Sequence, residues 1–275
     1  MELSIFEKST HIKTIKLLTD KLSGIVLTSR GIIDYASPIP VFGRISLSKI
    51  ATLGLNPSDK EFNDRNHNEI LGHKRRFNTL NSLNISNWQN LDEKSIHMIA
   101  ESCEEYFERN PYNSWFKPLD NLISDSGFSY YGKYSNACHL DLIPFATYKK
   151  WSSLEKASKD FLLRDLSPHL GEIIKNSNIQ ILILNGKSVI DNFQKTSDVS
   201  LSEHQEPSFD LHRNGCNNVL GYEYTGFFRT ISGVDIGRKI YVYGFNHNLQ
   251  SSFGVSKAVI NNMKKRLKAY CESLR

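Results

Sequence analysis

The sequence predicts an α/β protein, a single-domain α/β/α sandwich around a central, mainly parallel, four-stranded sheet. Three apolar runs carry that expectation: KIATLGL (49–55), IQILILNG (179–186) and KIYVYGF (239–245), each short and closed by a polar or glycine-containing turn. A weaker fourth candidate is YSNACHLDLI (134–143). Between them, residues 91–109, 116–126, 153–177 and 187–195 repeat apolar side chains at helical spacing. Strands that alternate with helices make a parallel sheet covered on both faces.

With 275 residues, 39% of them hydrophobic, the chain can bury one large core. The expectation is one domain over 1–275, with an N-terminal extension (about 1–45) and an insertion (about 196–237). The insertion lacks a clear period, is rich in Ser, Asn, Gly and aromatics, and has room for a hairpin. After the last strand, a basic helix carries Lys257, Lys264, Lys265, Arg266 and Lys268 around an apolar line through Val255, Val259, Met263, Leu267 and Tyr270.

The net charge of +5 is compatible with a polyanionic partner and equally with none. The opening MELSIFEKST has no long apolar run, so neither a signal peptide nor a membrane span is expected, and a cytoplasmic location follows. The four scattered cysteines form no C-x-x-C pair, which reads as mostly buried reduced thiols rather than a metal site. No P-loop or G-x-G-x-x-G is present to hold ATP or a dinucleotide.

Ligands on parallel sheets bind beyond the carboxyl ends of the strands. There the first strand is followed by Gly54-Leu55-Asn56-Pro57-Ser58-Asp59, and the last by Asn246-His247-Asn248-Leu249-Gln250-Ser251-Ser252. The weaker strand contains Asn136-Ala137-Cys138-His139-Leu140-Asp141, whereas Asn185-Gly186-Lys187 reads as an ordinary turn into a helix. Taken singly, each segment has a plain structural explanation. Asn-Pro-Ser-Asp is a helix-initiating turn, and an Asn, His or Asp beside a strand is commonly just hydrogen-bonded structure.

Together, GLNPS, an Asn-bearing second strand and a final strand leading into H-x-x-x-x-S resemble the uracil-DNA glycosylase superfamily, over about residue 50 to the C-terminal helix. GLNPS is similar to the GINPG motif of mismatch-specific members, HNLQSS stands in the place of HPSPLS, and the Arg76-Phe77 of HKRRFNTL is similar to a segment after the first motif in that branch. The resemblance implies a small parallel α/β/α sandwich that extrudes a base from DNA and hydrolyses its N-glycosidic bond.

On that resemblance Asn56 would orient the attacking water, with Pro57 as a second acceptor. An amide positions water but cannot take its proton, so little base assistance is expected. Asn136 would read the edge of the base, with His139 and Asp141 as further contacts. His247 would stabilise the departing base. Phe62 or Phe77 would stack on the extruded base. Lys74, Arg75, Arg76, Ser252 and Lys257 would meet phosphates. The family's wedge leucine is replaced by Ser251, with Leu249 and Gln250 before it.

Ser58 stands where uracil-specific relatives carry a bulky aromatic gate, so a larger base fits. The whole pattern also resembles bacterial proteins similar to phage-defence enzymes that remove glucosylated hydroxymethylcytosine, and the insertion could cradle its sugar. The resulting expectation is anti-phage base excision by a monomer, without metal or organic cofactor and with DNA as its partner. Alternatives left open are a uracil or mismatch repair glycosylase, a non-catalytic DNA-binding module of the same fold, and a hydrolase of free nucleosides or nucleotides.

Overall fold

The computed structural model describes residues 5–133, 135–213 and 217–274. Tyr134 of the weaker strand candidate and Cys216 lie outside them, as do residues 1–4 of the N-terminal extension. The chain is α/β. Strands β1 (Ile50–Gly54), β2 (Ala137–Asp141) and β3 (Ile181–Asn185) are buried at every residue, so both faces of that part of the sheet are covered. Helices Glu93–Glu104, Asn113–Ser124, Lys156–Lys175 and Lys187–Thr196 fall where the periodicity predicts them.

The sheet itself departs from expectation, having six strands and being mixed. Its order is β2-β1-β3-β6-β5-β4, parallel from β2 through β6 (Val234–Phe245) and antiparallel through β5 (Tyr222–Ile231) and β4 (Ser200–Gln205). Much of the 196–237 insertion is therefore sheet. A tight hairpin at Ser232-Gly233, both at positive φ (45° and 83°), turns β5 into β6. No period betrays β4, because it is a polar, largely exposed edge strand. In β5, Gly226 replaces an apolar residue because a Cβ there would collide with the Ser200 carbonyl.

The N-terminal extension is likewise built into the molecule. Ile15 and Leu18 of its first helix (Ile5–Leu22) and Ile32, Ile33, Ile39, Val41 and Phe42 all join the core. Phe42 exchanges backbone hydrogen bonds with His139, which covers the outer edge of β2.

The final helix (Lys257–Ser273) buries Val259, Met263, Leu267 and Cys271, four residues apart. Three of its basic residues are paired with acids of the chain. Arg266 pairs with Glu223 and Glu206, Lys264 with Asp125, and Lys268 with Glu272. Cys103 and Cys138 are buried thiols. Among the described residues no helix is long and apolar enough to cross a membrane.

Candidate functional site

The parallel registers bring four strand ends to one edge. Gly54 pairs with Asp141, Leu53 with Leu184, and Asn185 with Phe245. Paired residues share a face, so Gly54, Asp141, Asn185 and Phe245 all project to the same side of the sheet. Two residues beyond β1 lies Asn56, and two beyond β6 lies His247. Only β3 separates these strands, a spacing of about 10 Å.

Asn56 is anchored by its amide nitrogen, which donates to the Pro57 carbonyl at 3.0 Å, to Thr147 Oγ1 at 3.0 Å and to the Phe145 carbonyl at 3.4 Å. The Thr147 hydroxyl already donates to the Lys149 carbonyl at 2.6 Å, so it can only accept from Asn56. The amide therefore cannot be flipped, and Asn56 Oδ1 receives no hydrogen bond from a described residue. Ser58 caps the short 3-10 turn Asp59–Glu61 by accepting from the Lys60 N–H.

The loop after β6 is clamped by the turn after β3. Asn185 accepts from the Leu249 N–H at 3.1 Å and donates to Gln250 Oε1 at 2.8 Å, and Gln250 donates to the Trp115 carbonyl. Asn248 packs against Gly186, whose φ of 104° and missing Cβ admit it. The Asn248 carboxamide oxygen accepts from the backbone of Gln250 and Ser251. Asn185-Gly186 is thus a clamp on the His247 loop, not the ordinary turn that the sequence implies.

His247 is only 3% exposed, and its Nε2 is buried with no hydrogen-bond partner among the described residues. Burial holds the ring's pKa below the ordinary imidazole value, and Arg213 adds to the effect. The Phe209 backbone and Asp210 oppose it. Phe209, Asp210 and Arg213 all come from the insertion, so that segment reaches the site even though half of it is sheet.

On β2, His139 and Asp141 share the site face. His139 Nδ1 lies 2.7 Å from Thr52 Oγ1, which lies 2.6 Å from the Tyr130 hydroxyl, and His139 Nε2 is 3.5 Å from Asp141 Oδ1. A Cβ on Gly54 would collide with Asp141 Oδ1, so only glycine lets this carboxylate lie against β1. Beside it is a second buried acid. Burial raises the Glu61 carboxyl to about 7, against the lowering effects of the Tyr106 hydroxyl at 2.8 Å and of Arg76.

Several candidates from the sequence lie elsewhere. Asn136 precedes β2, at the amino edge, roughly 16 Å from the strand's other end. Its amide closes a turn, accepting from the Ser129 N–H and donating to the Gly127 carbonyl, both at 3.0 Å. Phe62 and Phe77 are buried in an aromatic core, where Phe77 stacks on Tyr106 at 4.9 Å, and neither offers a face to a base. Leu249 is buried and the Gln250 amide is engaged at both ends, so neither is free to act as a wedge.

Among the basic residues, Arg76 turns inward, donating to the Lys60 carbonyl and lying 3.9 Å from Glu61. Arg75 lines a cleft of about 400 Å³ with His73, Arg76 and Arg109. Lys74, Ser251 and Lys257 are exposed, and Ser252 is half-buried.

One site feature escaped the sequence reading. Phe253 is 72% exposed at the tip of the His247 loop, and Arg213 holds it by donating to its carbonyl at 2.8 Å, with the guanidinium 5.9 Å from the ring centre. Its sequence signal is an aromatic among serines, where an apolar side chain has no core to fill. Known protein families and curated proteins give no match to this chain.

Proposed function

We propose that this protein is a DNA glycosylase, which extrudes a nucleotide and hydrolyses its N-glycosidic bond to leave an abasic site. The observation that carries the reading is the pair of unengaged polar atoms flanking the end of β3, Asn56 Oδ1 and His247 Nε2. An unpartnered polar atom in a buried position, as His247 Nε2 is, costs stability, about 1–3 kcal/mol, and a ligand that meets it recovers that cost. A carboxamide oxygen that only accepts is suited to a water. An imidazole kept neutral by burial is suited to a hydrogen bond with the base.

In this mechanism Asn56 Oδ1 accepts a hydrogen bond from a water and aims its oxygen at C1′ as the glycosidic bond lengthens. The sugar becomes an oxocarbenium-like cation, and the electron pair of the bond stays on the base. His247 lies across β3 and meets the base, which positions it without taking part as a strong acid. Phe253 fills the gap left in the stack, the role that Leu249 and Gln250 cannot play.

The finer reading is excision of a modified cytosine such as glucosylated hydroxymethylcytosine from phage DNA, as a cytoplasmic defence. Ser58 in place of an aromatic gate leaves room for a substituent, and the Phe209 backbone, Asp210 and Arg213 bring polar groups of the insertion to the His247 loop. Incubation with glucosylated and unmodified phage DNA, followed by alkaline cleavage and mass analysis of the released base, tests both levels. Cleavage of glucosylated DNA alone supports the defence reading, and equal cleavage removes it. Tight DNA binding with no abasic product would select a non-catalytic module, and activity on mononucleotides alone a metabolic hydrolase.

A further inference from the structure

Resting on the glycosylase reading, we infer that Asp141 is the side chain that reads the extruded base, and that it selects an aminopyrimidine by protonating ring nitrogen N3 while accepting from the exocyclic amine. The position is built for a ligand. Asp141 ends β2 at the same edge as Asn56 and His247, is 6% exposed, and receives no hydrogen bond from a described residue. His139 faces it, with Nε2 at 3.5 Å from Oδ1. A buried carboxyl group without donors is costly unless it carries a proton or meets a ligand that supplies them.

Its placement is tightly set. Gly54 yields the space of a side chain to it, and the chain of Tyr130, Thr52 and His139 fixes the imidazole that faces it. Thr52 Oγ1 holds the ring at Nδ1, which turns Nε2 toward Asp141. Phe42 and Phe116 hold the same ring edge-on, at 5.4 and 5.3 Å.

Bases differ in what they need to leave. A cytosine-type ring departs only after N3 is protonated, and the carboxylate formed in that step then faces two donors, N3–H and the exocyclic N–H, in a bidentate, charge-assisted pair. Uracil departs as an anion and already carries a hydrogen on N3, so a proton transfer to N3 gives it no assistance. Asparagine at this position would present a fixed donor and acceptor and could not move a proton.

The step balances. The Asp141 O–H proton passes to N3, and the C1′–N1 bond breaks with its electron pair remaining on N1, which neutralises the ring. The water held by Asn56 adds its oxygen to C1′, and the proton it sheds returns to Asp141 through solvent.

The test uses the full chain on oligonucleotides bearing one uracil, cytosine, hydroxymethylcytosine or glucosylated hydroxymethylcytosine, with the released base measured by mass. Wild-type protein should release an aminopyrimidine and leave uracil in place. Asp141→Asn should lower that release about a hundredfold and move the preference toward uracil. Thr52→Val keeps the carboxylate, loosens His139 and should lower kcat with KM unchanged; it decides the matter should Asp141→Asn not fold. Wild-type release of uracil as fast as the aminopyrimidine, an unaltered preference in Asp141→Asn, or unchanged kcat in Thr52→Val overturns the inference and leaves the glycosylase reading standing. No base release by wild-type protein from any of the four removes both.

Discussion

Thr147 Oγ1 accepts an amide proton of Asn56 at 3.0 Å while spending its own proton on the Lys149 carbonyl, which fixes the Asn56 carboxamide with its oxygen unengaged. Thr147→Val removes one of the three acceptors that orient the amide, so single-turnover base release should fall about tenfold, whereas Asn56→Ala should cost about a hundredfold or more. Undiminished release in both variants would end the assignment of the water to Asn56.

His247 carries the second half of the site. His247→Gln should slow base release about a hundredfold. Stability gives an independent readout, because burial lowers the folded-state pKa of this ring. Below the ordinary imidazole value of 6.5 the unfolded chain binds a proton that the folded ring refuses, so wild-type stability falls as pH drops through that region. His169 is also lowered by burial and acts with the same sign, but it remains in the variant. Denaturant unfolding from pH 7.5 to 5.5 should show a smaller loss in His247→Gln than in wild type, and identical slopes would contradict the burial argument.

Phe253 is exposed and fills no core, so Phe253→Ala should change folding stability by no more than about 0.5 kcal/mol. Its effect should appear on duplex DNA, where extrusion leaves a gap to fill, and be weak on single strands. Kinetics on paired and unpaired oligonucleotides of one sequence would show this, and equal effects on the two would exclude the wedge.

Asn136→Ala should behave as a structural variant. The turn it closes loses two hydrogen bonds, worth about 1–2 kcal/mol together, while the rate of base release should hold. Chemical denaturation and turnover, measured on one preparation, separate the outcomes; a loss of turnover at intact stability would return Asn136 to the site.

Glu61 titrates in the opposite sense to His247. Its carboxyl is raised from 4.5 to about 7, so the folded state holds a proton that the unfolded chain has released. That contribution is complete below pH 4.5 and is lost as pH rises through 7, at most about 3 kcal/mol. Glu61→Gln cannot ionise, so its stability should gain on wild type between pH 5 and 8. A constant difference across that range would show that Glu61 is not buried as a neutral acid.

The strands β1, β2, β3 and the end of β6, with the helices between them, were legible because each is a local run whose apolar pattern needs no partner to be seen. The loops bearing Asn56 and His247 followed, since a parallel sheet gathers its carboxyl ends. The rest depended on distant neighbours. Asn136 and Asp141 are five residues apart, one just before β2 and one at its end, and only the register of β2 against β1 shows that the aspartate reaches the site edge while the asparagine turns the other end. Phe62, Phe77 and Phe253 are the same residue type, yet Phe62 and Phe77 pack on one another in the core, with Phe42 and Tyr106 against Phe77, whereas Phe253 stands out from the surface beside Arg213. Asn185 and Gly186 look like a turn until Asn248 and Gln250 arrive from the other side of β3. Sequence fixes what a residue can do, but burial and hydrogen-bond partners are properties of the surroundings, and those are assembled only when the chain folds.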